Sequence, residues 1–217
     1  MKIVSLVVAV FAIFFVGAQN SYYFAEPLPS ASNKVGNVSS RHFGAYSVND
    51  GTITYQFDEN GLALISTTVA GISRETVRES SKYNVRNGYI FGVEIGDSVP
   101  CVLSGEKYYF GVRNHDVFVG EGSKHILTKT RSSSVYVLNL FDDGKYVPQI
   151  LEFNGDQLKI SHFDYEGEEA DEFSFIESQE AVVSGGLNLI VLKPNEDDFN
   201  QIRSQAFAES MFLQKVD

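Results

Sequence analysis

Tryptophan is absent from this chain of 217 residues, and cysteine occurs once, at Cys101. A single thiol excludes an internal disulfide framework and any metal site built on cysteine pairs. Basic residues are scarce. Lys and Arg number 17 against 28 Asp and Glu, a formal net charge of −11. That balance excludes the broad basic footprint a nucleic-acid binder needs to displace counterions from phosphates. Histidine is limited to His42, His115, His125 and His162, none paired with another at i, i+2 or i+4. No His-Glu-x-x-His pattern, Gly-x-Ser-x-Gly elbow, P-loop or dinucleotide fingerprint is present. The expectation is a non-enzymatic protein with no cofactor and no metal site. A Ser-His-Asp set brought together only in space stays open as an alternative, because such sets are recognised by geometry rather than by chain order.

Long apolar runs are also missing, with one exception. After Met1-Lys2, residues Ile3 to Val16 are apolar except for Ser5. About 20 apolar residues are needed to cross a bilayer, so this run is short for a stable span. It ends in Val16-Gly17-Ala18 and then turns polar, which is the pattern of a secretory signal peptide. The expectation is cleavage near Ala18, leaving a secreted, periplasmic or cell-surface protein without a stable membrane span. Residues 19–41 follow as an irregular lead-in, rich in Pro, Ser and Asn without apolar periodicity. Asn37-Val38-Ser39 within it fits the N-glycosylation pattern.

What is present from residue 42 onward is a period of two. Tyr55 and Phe57 alternate with Thr54 and Gln56. Tyr89, Phe91 and Val93 share one parity, and Tyr108, Phe110 and Val112 another. Val135 and Val137 fall on one face, Tyr136 and Leu138 on the other, so that strand is apolar on both sides. Strands of this kind, rich in β-branched and aromatic residues, are what antiparallel sheets require. Asn60-Gly61, Asn87-Gly88, Ser104-Gly105, Asp143-Gly144 and Asn154-Gly155 punctuate them as tight turns. The short spacing leaves no room for parallel crossovers. Near the C-terminus the period changes. Pro194-Asn195 precedes Glu196, Asp197 and Asp198, and Phe199, Ile202, Ala206 and Leu213 fall along one helical side. The pattern predicts an all-β domain over 42–217, an antiparallel meander forming a barrel or sandwich. One C-terminal α-helix is expected from about 196 to 213.

Candidate functional residues are few. Arg74, Arg78, Lys82 and Arg86 recur every four residues, so they align on either a helix or a strand. They are the candidate binding patch, suited to an anionic ligand such as a carboxylated glycan. His162 alternates with Leu158 and Ile160 and is expected to point inward, with Asp164 along the same face. Cys101, between apolar neighbours, reads as an inert core thiol. Segment 164–172 holds most of its positions as acids and reads as a solvated loop joining strands near 158–163 and 172–176. Ca²⁺ binding there is left open, since its Gly does not match an EF-hand loop. The functional expectation is an exported surface-structural or binding protein whose partner is a glycan. One alternative is a lipocalin-like carrier of a small apolar ligand, with an enclosed cavity lined by Tyr, Phe and His162. The other is a hydrolase with a spatially assembled site.

Overall fold

The computed structural model describes residues 21–49, 51–94, 97–163, 173–177, 179–184, 187–207 and 210–216. The proposed signal peptide, Asp164 and the acidic segment 164–172 lie outside the described residues. The chain folds as antiparallel β-structure. Its elements are β1 (Ser21–Phe24), β2 (Lys34–Val35), β3 (Gly44–Ser47), β4 (Ile53–Asp58), β5 (Gly61–Ser73), α1 (Arg74–Glu79), β6 (Asn84–Arg86), β7 (Tyr89–Glu94) and β8 (Asp97–Ser104). There follow β9 (Lys107–Val119), β10 (Ile126–Lys129), β11 (Val135–Asp142), β12 (Lys145–Asn154), β13 (Gln157–His162), β14 (Gln179–Ser184), β15 (Leu187–Leu192), α2 (Asp198–Ala206) and β16 (Ser210–Val216).

The sheet is open and runs β14-β15-β1-β12-β13-β16-β3-β4-β5-β9-β8-β7-β6, with β11, β10 and β2 branching from β12. Among the described residues every pairing is antiparallel except that of β1 with β15. The turns read from the sequence hold the hairpins, and Asn87 and Asp143 take the positive φ these corners require. Gly61 shows why one corner needs glycine. It sits at φ +130°, and a Cβ there would lie 1.9 Å from the Val119 carbonyl oxygen.

Alternation explains two cores on opposite faces of β11 and β12. Tyr136, Leu138, Leu151 and Phe153 face inward with Tyr46, Tyr55, Phe57, Leu62, Leu158, Ile160 and Leu213. Phe153 is the hub of this core. Its ring stacks on His42 at 4.3 Å and meets Tyr46, Phe57 and Tyr136 edge-on at 5.2–6.0 Å. Replacing it by alanine would cost about 3–5 kcal/mol. The interior is thus filled by aromatic side chains, and burial pushes the Tyr55 phenol up to about 12. Val137 points the other way, into a second core with Tyr22, Phe24, Leu28, Phe173, Ile190, Phe199 and Ile202. This is where the lead-in and α2 dock.

Three expectations need correction. The lead-in is not irregular throughout, because Ser21–Phe24 and Lys34–Val35 are β1 and β2, which join the sheet through β15, β12 and β10. The C-terminal helix is shorter than 196–213, ending at Ala206, and residues 210–216 form strand β16. There Leu213 is buried while Phe212 is 56% exposed, an alternation of two rather than of four. Pairing decides the outcome, because β16 satisfies the backbone edges of both β13 and β3. Residues 173–176 are a turn rather than a strand, closed by the Ile176 N–H donating to the Phe173 carbonyl at 2.9 Å. Phe173 and Ile176 are nonetheless buried, so their apolar character serves the second core.

Candidate functional site

Strands β5 and β9 are each 13 residues long and pair along nearly their whole length. Only their Leu62/Val119 end reaches the inner core. The remainder runs on and is extended sideways by β8, β7 and β6 into a five-stranded arm. Residues opposite one another on antiparallel strands share a face, so the registers sort the arm's side chains. One face carries Ile90, fully buried, and Phe110, 8% exposed, with Val85, Val99, Cys101 and Tyr108 half-buried. The connection from β5 to β6, which contains α1, joins the arm's two edges. Its Val77 and Tyr83 are half-buried. Ser73 caps α1 by accepting from the Thr76 N–H at 2.9 Å.

The opposite face is bare. Tyr89 pairs with Pro100, Val102 with Tyr109, Val69 with Gly111 and Gly71 with Tyr109. All of their side chains project outward. Val69 is 77% exposed, Val102 69%, Tyr89 44%, Phe91 40% and Tyr109 40%. Three bases stand among them. Arg86 is opposite Tyr89, Arg113 is opposite Thr67, and the Lys107 stem approaches Gly71 beside the Tyr109 ring. None of the three has an ion-pair partner among the described residues. No acid among the described side chains shares their parity on this face.

The sequence-derived candidates do not form one site. Arg74 and Arg78 are on α1, where each lies beside an acid, Glu106 at 3.9 Å and Glu79 at 3.7 Å. Lys82 is in the following connection, its ammonium 5.0 Å from the Tyr83 ring. Only Arg86 reaches the exposed aromatic face. His162 is on β13, which four strands separate from the arm's β9 in the sheet order. It does share the inward face with Leu158 and Ile160, and its Nδ1 is 3.1 Å from the Gln149 side-chain amide. Lys107, Arg113, Tyr89, Phe91 and Tyr109 were missed as a group. The signal was the apolar run at both parities, Tyr89-Ile90-Phe91 and Tyr108-Tyr109-Phe110, which leaves one parity unburied on any sheet with a single covered face.

Two other histidines have structural work. His42 Nε2 accepts from the Arg41 Nε–H at 3.0 Å, and His125 Nδ1 accepts from the Phe141 N–H at 2.9 Å. Burial lowers the pKa of both, and the Arg41 charge adds to the effect at His42. Among the described residues, no group of three or more His, Cys, Asp or Glu could hold a metal ion. A surface cleft of about 330 Å³ beside α2 is lined by Lys34, Lys129, Arg131 and Glu196 and is open to solvent. Comparison with protein-family models, curated proteins and solved structures finds no match.

Proposed function

We propose that this chain is an exported, non-enzymatic recognition module that works through the outer face of the β5–β9 arm. One observation carries the reading. Five large apolar side chains, 40–77% exposed, and three bases without an ion-pair partner among the described residues share one face of a sheet whose other face is partly buried around Ile90 and Phe110. Soluble proteins rarely leave such contiguous apolar area uncovered unless it meets a partner. Side chains on paired strands are held in place before binding, which lowers the ordering cost of association. Export rests on the pattern of residues 1–18, with a secreted, periplasmic or cell-surface destination. The aromatic packing around Phe153 speaks against a carrier of an enclosed apolar ligand. The structural use of His42 and His125 speaks against a hydrolase built on either of them.

The test is mass spectrometry of material that co-purifies with the processed protein from its native host. A variant carrying Tyr89→Ser, Phe91→Ser and Tyr109→Ser is purified in parallel. The recognition reading expects a component retained by the wild type and lost by the variant. The same material on both proteins, or a small apolar molecule released only by denaturation, would overturn it.

A further inference from the structure

We infer that the occupant of this face is an anionic polysaccharide, carboxylated or sulfated, whose sugar rings stack on Tyr89, Phe91 and Tyr109. Its acidic groups meet Arg86, Lys107 and Arg113. This rests on the recognition reading above and names the partner it leaves open.

Three observations select that chemistry. First, the exposed rings are spread over the sheet rather than gathered in a pocket. Tyr109 is on β9 and Tyr89 and Phe91 on β7, two strand spacings or about 10 Å apart. Separated rings on a flat face suit an extended polymer that offers several apolar ring faces in succession. Second, the face is basic within a chain of net charge −11. An isologous pairing of two copies would set Arg86, Lys107 and Arg113 against their own counterparts, so a second copy of this chain is disfavoured. Third, the charge beyond the arm limits the size of the partner. An anionic bilayer extends well past a Debye length of about 10 Å, so it would feel the acidic body as well as the face. A duplex nucleic acid carries denser charge, about one per 1.7 Å, and would be repelled more strongly still. A thin, more sparsely charged chain can lie on the face alone.

The experiment titrates the processed protein against alginate, which is carboxylated, and dextran sulfate. Neutral dextran, an oligo-dT single strand and vesicles of phosphatidylglycerol with phosphatidylcholine serve as comparisons. The expected result is binding to at least one anionic polysaccharide, weakened about tenfold or more as salt rises from about 0.05 to about 0.5 M. Alginate against dextran sulfate then tells carboxylate from sulfate preference. Arg86→Gln with Lys107→Gln and Arg113→Gln should lower affinity at least tenfold and flatten the salt dependence. Tyr89→Ala with Tyr109→Ala should lower it at high and low salt alike. All five positions are exposed, so folding is expected to survive, and a melting curve checks it. Equal binding to neutral dextran, or stronger binding to oligo-dT or vesicles that the same variants abolish, would overturn the polysaccharide while leaving the recognition face standing. Binding to none of the probes, with the co-purifying material unchanged in the Ser variant, would overturn both. Binding to the anionic polymers that the variants leave intact would overturn the assignment to this face.

Discussion

The ring of Tyr109 lies across the backbone of Gly71. Its Cε1 is 3.1 Å, and its Cδ1 3.3 Å, from where a Cβ on Gly71 would sit. The missing side chain therefore gives the ring its resting place, much as cross-strand aromatics cover glycines in other sheets. Gly71→Ala is expected to lift Tyr109 off the sheet. Polysaccharide affinity should fall about as far as in Tyr109→Ala. Stability should change little, because the entropy gained by removing a strand glycine, roughly 0.5–1 kcal/mol, offsets the crowding. Melting temperature is expected to stay within about 3 °C of wild type. Unchanged affinity in Gly71→Ala would show that the seated ring plays no part in recognition.

Stability should depend on pH through two acceptors, His42, which is buried, and His125, which is half-buried. His42 and His125 each accept a hydrogen bond at a ring nitrogen, so the neutral form is the one the fold uses. Burial depresses both pKa values from the ordinary 6.5, with a smaller opposing bond to the Ser133 backbone at His42. The unfolded chain therefore takes up protons first as pH falls. Their contribution is fully present above about pH 6.5 and is lost as pH drops through the depressed folded values. Melting temperature should fall between about pH 6.5 and pH 5. His125→Gln keeps an acceptor for the Phe141 N–H without a titrating ring and should shrink that fall. Identical pH profiles for wild type and His125→Gln would refute the assignment to His125.

Much of the fold was legible because strict alternation has one meaning. Tyr55 and Phe57 are buried on β4, and both faces of β11 are apolar because both are covered. The shorter helix was less legible. Phe199, Ile202, Ala206 and Leu213 fit a helical side on paper, yet the open edges of β13 and β3 draw residues 210–216 into a strand. Tertiary pairing is invisible to local period. The recognition face was hidden for a related reason. Tyr108, Tyr109 and Phe110 are equally apolar, and only the register with β5 and β8 shows that Phe110 is covered while Tyr109 is not. The basic repeat from Arg74 to Arg86 misled in the same way, since its members fall on a helix, a connection and a strand.

Cys101 should be slow to react. It is half-buried on the covered face of the arm, opposite Phe110, and burial raises its thiol pKa. The thiolate is the reactive species, and both access and ionisation are reduced here. Labelling of native protein by a thiol reagent at pH 7.5 should run far behind labelling in denaturant. Rapid stoichiometric labelling without denaturant would mean that the covered face of the arm opens readily.

Between its two strand pairings, β1 with β15 and β2 with β10, the lead-in is held by a single buried side chain. Asn139 on β11 is fully buried. Its Oδ1 accepts from the Leu28 N–H at 2.8 Å, and its Nδ2 donates to the Leu28 carbonyl at 2.9 Å. The Thr128 hydroxyl donates to that same carbonyl. Leu28 itself is buried in the second core, so its N–H would be stranded without water if Asn139 were shortened. An unsatisfied buried group costs about 1–3 kcal/mol, and Thr128 can still serve the carbonyl. Asn139→Ala is therefore expected to lose about 2–4 kcal/mol, the orphaned N–H and the small cavity together. Asn139→Asp should be no better. It keeps the acceptor for the Leu28 N–H but sets a carboxylate against the Leu28 carbonyl in a buried site. Limited proteolysis gives the second readout. Once the clamp is gone, the segment around Pro27 and Pro29 should be cut before the sheet is. Denaturant midpoints for Asn139→Ala within about 0.5 kcal/mol of wild type, with the lead-in still protected, would place the anchor elsewhere, in the packing of Phe24 and Leu28 alone.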